Sequence, residues 1–175
     1  TTGFGARGTG NLITGVSGAL ADLTHGALAA ESVTINRTGR VRVVDLALGP
    51  GTLAAMQAGL VPMQSSIAPE LQQGGAASST GDVYAVGALM YECLVGAPLE
   101  RGGPRPSEVV PGTNQQIDEL VARACHRDPE KRFGRVDVLG EVVGEALGKC
   151  GAMETSAVPT LARAPGLDKQ EQSLA

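Results

Sequence analysis

Lysine is scarce in this sequence and unevenly placed. Of 175 residues only Lys131, Lys149 and Lys169 are lysine, so the first 130 residues contain none. Any mechanism that needs an ammonium group early in the chain is thereby excluded. Aromatic residues are almost as rare: Phe4, Tyr84, Tyr91 and Phe133 are the full set and tryptophan is absent, so the core must be aliphatic. Three cysteines, Cys93, Cys125 and Cys150, are an odd number with no Cys-x-x-Cys or histidine-linked spacing. That pattern favours reduced structural thiols in a cytoplasmic setting over a disulfide framework or a zinc site. Long apolar runs are missing too. The longest, Val83 to Tyr91, is closed off by Asp82 and Glu92 and is far short of a membrane span. Excess positive charge is also lacking: 14 basic against 18 acidic residues give a net charge of −4. No global attraction to nucleic acid or anionic membrane follows, and neither is expected as a partner.

What is plentiful is glycine, at 25 residues, joined by 10 prolines, which predicts long loops. With 42% hydrophobic and 18% charged residues the chain still has the material for one folded domain. Residues 1–10, TTGFGARGTG, read as an unpaired, turn-rich start. From Leu12 to Leu23 apolar residues recur at helical spacing, weakened by Gly15 and Gly18, which cost about 1 kcal/mol each against alanine. Val33-Thr34-Ile35 and Val41-Arg42-Val43-Val44 flank the turn sequence Asn36-Arg37-Thr38-Gly39-Arg40 and predict a β-hairpin. Residues 46–81 show little periodicity, although Leu53 to Leu60 could form a short helix. Asp82 stands at the N-cap position of a run, Val83 to Gly96, that is apolar nearly all round, and such a helix must be buried on every side. Gly96-Ala97-Pro98 stops it and Arg101 to Gly112 reads as a linker. Thr113 or Asn114 caps the next helix, with Ile117, Leu120, Val121 and Ala124 on one stripe. A charged turn, Asp128 to Phe133, leads to a last amphipathic helix over Val136 to Leu147, and the remainder reads as a tail.

Gly3-Phe4-Gly5-Ala6-Arg7-Gly8 fits G-x-G-x-x-G, but no strand precedes it and neither an acidic residue nor a lysine follows at a useful distance. It is read as a flexible N-terminus. A longer constellation is more specific. His25-Gly26-Ala27-Leu28-Ala29-Ala30-Glu31-Ser32 is followed after thirteen residues by Asp45-Leu46-Ala47, and Ala68-Pro69-Glu70 ends 25 residues after Asp45. Asp82-Val83-Tyr84-Ala85-Val86-Gly87 begins twelve beyond Glu70, and Asp128-Pro129-Glu130-Lys131-Arg132-Phe133 comes later. In order and spacing these segments resemble the C-terminal lobe of the protein kinase superfamily, especially its bacterial serine/threonine branch. The resemblance implies a mainly α fold: a helical subdomain around a buried central helix, with one small β-hairpin. It covers residues 12–148, leaving 1–11 as a flexible N-terminus and 149–175 as a disordered tail. The family's N-terminal lobe, with its nucleotide-covering loop and lysine-bearing strand, has no counterpart in the 11 residues ahead of the first expected helix.

The resemblance also says which groups should carry chemistry, and most are replaced. Phosphoryl transfer in this family needs an aspartate to orient and deprotonate the hydroxyl, a lysine on the moving phosphoryl group, and an asparagine and an aspartate on magnesium. Those positions fall on Ala27, Ala29, Ser32 and Asp45. Alanine accepts no proton and carries no charge, and loss of a general base alone costs about 10²–10⁴-fold in rate. Asp45 by itself is a weak Mg²⁺ ligand unless a bound nucleotide supplies the rest, so neither ATP nor magnesium is expected to bind well. Leu46 and Ala47 replace the Phe and Gly of the metal motif, while Pro62 and Met63 stand where Gly and Thr are usual before Ala68.

The retained residues read as structural. Asp82 is expected to satisfy backbone N–H groups of the loop at His25, and the resemblance implies an ion pair between Glu70 of Ala68-Pro69-Glu70 and Arg132. His25 is read as a packed loop anchor, and His126 as a solvated residue at a helix end. Ser65, Ser66, Ser78, Ser79 and Thr80 are read as a solvated flexible loop. The expected function is a catalytically inactive, kinase-like module that binds a protein partner, a complete kinase or another cytosolic protein. The alternative is the C-terminal part of a serine/threonine kinase that acts once an N-lobe is supplied.

Overall fold

The computed structural model of the chain describes residues 4–150. Helix α1 (Ala6–Ala19) is followed by an irregular stretch, the strands β1 (Val33–Ile35) and β2 (Val41–Val43), and then helices α2 (Gly49–Gln57), α3 (Pro69–Gln72) and α4 (Ser79–Val95). Helices α5 (Pro106–Val109), α6 (Gln115–Ala124) and α7 (Val136–Cys150) complete the described fold, with single 3-10 turns at Ala30–Ser32 and Pro129–Lys131. The expected mainly helical architecture with one small hairpin is what the structure contains. The hairpin is antiparallel, pairing Val33 with Val43 and Ile35 with Val41. Its turn is closed by the Asn36 side-chain oxygen, which accepts from the backbone N–H groups of Thr38 and Arg40 at 3.0 and 2.8 Å.

Helix α4 is the centre of the molecule. Ser78 Oγ caps it by accepting from Gly81 N at 3.1 Å, and Gly96 ends it in the left-handed conformation with φ 77°. Val83, Val86, Leu89, Met90 and Leu94 are each buried to 4% exposure or less. Full burial of each stabilises by about 1.5–3 kcal/mol. Around α4 lie α1, α6 and α7, whose Ile13, Val16, Ile117, Leu139, Val143 and Leu147 complete the main core. Helices α4 and α6 cross closely at Gly87, where a Cβ would lie 2.6 Å from that of Ala124. A smaller, separate apolar cluster joins Ala27, Leu53, Met56, Ile67, Ala68 and Leu71.

Several expectations are corrected. The segment expected to be flexible before Leu12 is helical from Ala6, because Ala6, Thr9 and Gly10 are buried and the lack of a side chain at Gly10 lets Leu147 approach. Tertiary contact overrides the helix cost of glycine here. Residues 6–8 of the G-x-G-x-x-G stretch, read as a flexible N-terminus, belong to α1. That helix ends at Ala19, short of the expected Leu23, which is 54% exposed. Ser78 rather than Asp82 caps α4, and Asp82 sits inside its first turn. The linker from Arg101 to Gly112 includes the short α5, held where Ser107 N donates to Asp118 Oδ1 at 2.9 Å and Tyr91 Oη donates to Pro104 O at 3.0 Å. Ser78, Ser79 and Thr80 start a helix instead of a flexible loop, and Ser66 Oγ is buried. Lys149 is in the last turn of α7, and the expected tail beyond residue 150 lies outside the described residues. Among the described residues no helix is long and apolar enough to cross a membrane.

Candidate functional site

The loop from His25 to Ser32 is held from below by Asp82. Its Oδ2 accepts from His25 N at 2.7 Å and its Oδ1 accepts from Gly26 N at 2.9 Å. Burial of Asp82 pushes its pKa above the ordinary carboxylate value, opposed by those two N–H groups. The His25 ring is buried and bonded on both sides, with Nε2 3.0 Å from Val44 O and Nδ1 accepting from Ala27 N at 3.3 Å. The Nε2–H tautomer satisfies both contacts. His25 is thereby an anchor between the loop and the end of the hairpin. Gly26 has φ 82°, and a Cβ there would lie 2.6 Å from that of Ala77, so both conformation and space require glycine.

Ala27 and Ala29, expected at the positions of a base and a phosphate-binding lysine, are 4% and 7% exposed. Ala27 belongs to the small apolar cluster with Leu53 and Met56 of α2. The first turn of α2 lies directly on the loop, and a Cβ on Gly49 would run into the carbonyl oxygen of His25. Ser32 is buried at 7% exposure, and its backbone bridges to the hairpin by accepting from Val44 N at 2.9 Å. Asp45 is exposed and left-handed, with φ 63°, and its carbonyl oxygen accepts from Leu48 N and Gly49 N at 2.9 and 3.0 Å. Among the described residues no three His, Cys, Asp or Glu side chains come together as a metal-binding group. The four expected positions offer one carboxylate, Asp45, and one hydroxyl, Ser32, beside two alanines, a poor match for a magnesium-bound nucleotide.

The retained motif residues form a second, fully bonded cluster. Arg132 meets Glu70 in a two-pronged pair, Nη1 to Oε1 and Nη2 to Oε2, both at 2.7 Å. The same guanidinium donates from Nη1 to Thr80 O at 2.8 Å, from Nε to His126 O at 2.6 Å and from Nη2 to Arg127 O at 3.3 Å. All five of its N–H groups therefore have acceptors. Burial works to raise the Glu70 pKa, but the hydrogen bond from Arg132 and its charge outweigh it and hold the carboxyl below its ordinary value. Arg132 also lies over the Tyr84 ring at 5.1 Å from its centroid, tying α4 into the cluster. Ala68 is fully buried, and Pro69 opens α3 where its missing N–H costs nothing. Nearby, Gln57 Nε2 donates to Leu71 O and Gly75 O at 2.7 and 2.9 Å, clamping the end of α2. Nothing in the residue pattern singles out Gln57; a lone amide after an aperiodic stretch carries no signal. Cys93 and Cys125 are free thiols with pKa pushed by burial up to about 11 and about 12, which leaves neither as a nucleophile.

The structure thus brings together Ala27 with the apolar cluster, Asp82 with the His25 loop, and Glu70 with Arg132. It does not bring Asp45 into an ion pair among the described residues. No family model matches the chain. The serine/threonine-protein kinase PknL of Mycobacterium tuberculosis is 31% identical over 147 residues, which covers 73% of this chain and 37% of that kinase. The chain is a kinase-like domain related to mycobacterial serine/threonine kinases. Serine/threonine-protein kinase PknE of the same organism is 28% identical to the kinase-like domain over 129 residues, covering 65% of the chain and 23% of that protein. The crystal structure of the M. tuberculosis PknI kinase domain superposes with a TM-score of 0.63 at 22% identity. It covers 81% of the kinase-like domain and 56% of the solved chain, and supports the fold alone. The chain spans 37% of the length of PknL and less of PknE, so the match is to part of each protein.

Proposed function

We infer that this kinase-like domain acts by binding a protein partner and does not transfer phosphate. The observation that carries the reading is the burial of Ala27 and Ala29, 4% and 7% exposed, in the place of the base and the phosphate-binding lysine. Removing one group of a catalytic set costs about 10²–10⁴-fold. Two are absent here, and Ala27 packs in one apolar cluster with Leu53 and Met56 of α2. The setting is the cytosol, in keeping with the free thiols of Cys93 and Cys125, and the partner is a complete kinase or another signalling protein. Affinity for ATP with Mg²⁺ is weak or absent, because Asp45 lacks co-ligands at the loop. Thermal-shift titration with ATP and Mg²⁺ or Mn²⁺, with Asp45→Ala as control, tests this alongside a phosphotransfer assay. No shift and no labelled product are expected. Autophosphorylation abolished by Asp45→Ala overturns the reading.

A second reading is favoured by the relatives, which are serine/threonine-protein kinases of which the chain spans only a part. In it the domain is the C-terminal portion of such a kinase and works with an N-lobe supplied from elsewhere. Phosphotransfer that emerges only when an N-lobe polypeptide is added selects this reading over the first.

A further inference from the structure

In a chain of net charge −4 the β-hairpin is cationic. Arg37, Arg40 and Arg42 fall within six positions, and no acidic residue stands between Ser32 and Val44. All three arginines are exposed. Among the described residues none of them enters an ion pair, whereas Arg132 and Arg135 are both paired with carboxylates. The backbone that carries these charges is fixed. Asn36 Oδ1 accepts from Thr38 Oγ1 at 2.7 Å as well as from two backbone N–H groups, Gly39 N donates to Asn36 O at 2.9 Å, and Gly39 takes φ 79°. Behind the turn, Val33, Val41 and Val43 pack against the main core, and Val41 sits on Gly15 of α1. A rigid element loses little freedom when a ligand settles on it.

The arrangement also narrows the ligand. Arg40 and Arg42 stand two positions apart on one side of the strand, about 7 Å from each other along the backbone. Carboxylates at alternate positions of an extended peptide have the same repeat. The sheet has two strands only among the described residues, and the bonds from Asn36 N to Arg40 O and from Val44 N to Ser32 O set the ladder so that the Ile35 N–H and C=O turn outward, to the free edge of β1. Ile35 itself is 44% exposed. An extended segment can add to such an edge as a further strand. Nucleic acid is the poorer match, because the hairpin has no aromatic side chain for a base to stack on and the chain as a whole is negative.

We propose that Arg37, Arg40 and Arg42, beside the free edge of β1 at Ile35, form a docking surface for an extended acidic segment of a partner protein. This deepens the protein-binding reading and rests on it. Fluorescence anisotropy on the full chain tests it, with a fluorescein-labelled peptide of alternating Glu and Thr as the probe. The wild type binds the peptide and releases it as NaCl rises from about 0.05 to about 0.2 M, because screening tightens. Arg37→Glu/Arg40→Glu/Arg42→Glu weakens binding about tenfold or more. The same change of charge placed elsewhere on exposed arginines, Arg7→Glu/Arg101→Glu/Arg127→Glu, weakens it less than about threefold. If circular dichroism shows that the hairpin glutamates prevent folding, Arg37→Gln/Arg40→Gln/Arg42→Gln removes the charges without reversing them and weakens binding about fivefold. Equal losses in the hairpin set and the distant set overturn the proposal, as does a thymidine oligodeoxynucleotide that binds more tightly than the peptide, or a peptide that does not bind at the lower salt. Phosphotransfer enters none of these outcomes. A peptide that fails to bind removes the hairpin site and leaves the inactive reading standing, whereas labelled product removes that reading whatever the peptide does.

Discussion

Breaking the Glu70–Arg132 pair should cost more from the glutamate side than its exposure suggests. The Arg132 side chain is 0% exposed and that of Glu70 is 29% exposed. Replacing Glu70 by glutamine keeps one acceptor oxygen but strands a guanidinium that has no route to water. Removing one partner of a buried pair destabilises by about 3–5 kcal/mol. The retained acceptor and the carbonyls of Thr80, His126 and Arg127 place Glu70→Gln near the low end, about 3 kcal/mol. For a chain of this size that lowers Tm by about 6–12 °C. Arg132→Met costs a similar amount by another route: Glu70 can turn to water, but three carbonyls lose their donor. In the double variant the stranded charge is gone, so its loss is close to that of Arg132→Met alone and the coupling is about 2–3 kcal/mol. Urea unfolding of the four proteins of the cycle, with m-values compared, measures this. A coupling below about 1 kcal/mol would be that of an exposed surface pair, and would refute the claim that burial of Arg132 governs the cluster.

The same pair sets an acid limb. Because the folded Glu70 pKa lies below its ordinary value of 4.5, its stabilisation is complete above that pH and is lost as pH falls through the folded value. Asp82, raised above 3.8, has the opposite slope, since the folded state takes up its proton first and loses stability as pH rises through that window. Wild type and Glu70→Gln should therefore differ by a constant at pH 6–7 and converge toward pH 3 in urea midpoints; a difference undiminished at pH 3 contradicts the assignment. Gly140→Ala should cost about 1–3 kcal/mol by overpacking, because the new Cβ would collide with Ser17 of α1; circular-dichroism melts within 1 °C of wild type would show that the helices separate freely. Cys93 and Cys125 should resist iodoacetamide at pH 8 in the native chain and react in urea, as read by peptide mass spectrometry, and rapid native labelling of Cys125 would contradict its burial.

What the sequence made legible were the features written in local chemistry. The hairpin is carried by β-branched runs about a turn, and α4 by an apolar stretch with a glycine stop. The partnership of Glu70 with Arg132 and of Asp82 with the His25 loop could be anticipated from motif spacing and the cost of burying unpaired charge. The start of α1 could not, because Gly5, Gly8 and Gly10 look like a loop until Leu147 is known to lie against Gly10. Helix α2 was legible only in part: Leu53 to Leu60 suggest a short helix, whereas its first turn, Gly49-Pro50-Gly51, reads as loop punctuation. Its clamp, Gln57, binds carbonyls 14 and 18 residues away, a relation that only the fold creates. Aspartate suits both a helix end and a buried acceptor; Ser78 fills the first role and Asp82 the second.

The pairing of α1 with α7 has a mechanical consequence. Gly10 lies against Leu147, Thr14 against Gly144, and Ser17 against Gly140, so the two helices run in opposite directions with small residues at the seam. The contact between Thr14 and Gly140 spans 126 positions of chain. So long-range a contact raises the contact order of the fold, which slows folding as a whole. The pairing also leaves Ala6 and Leu147 at the same end of the pair. A tension applied there would part the seam in sequence from one end, like a zip, while loading at the outset the bond from Phe4 N to Cys93 O of α4.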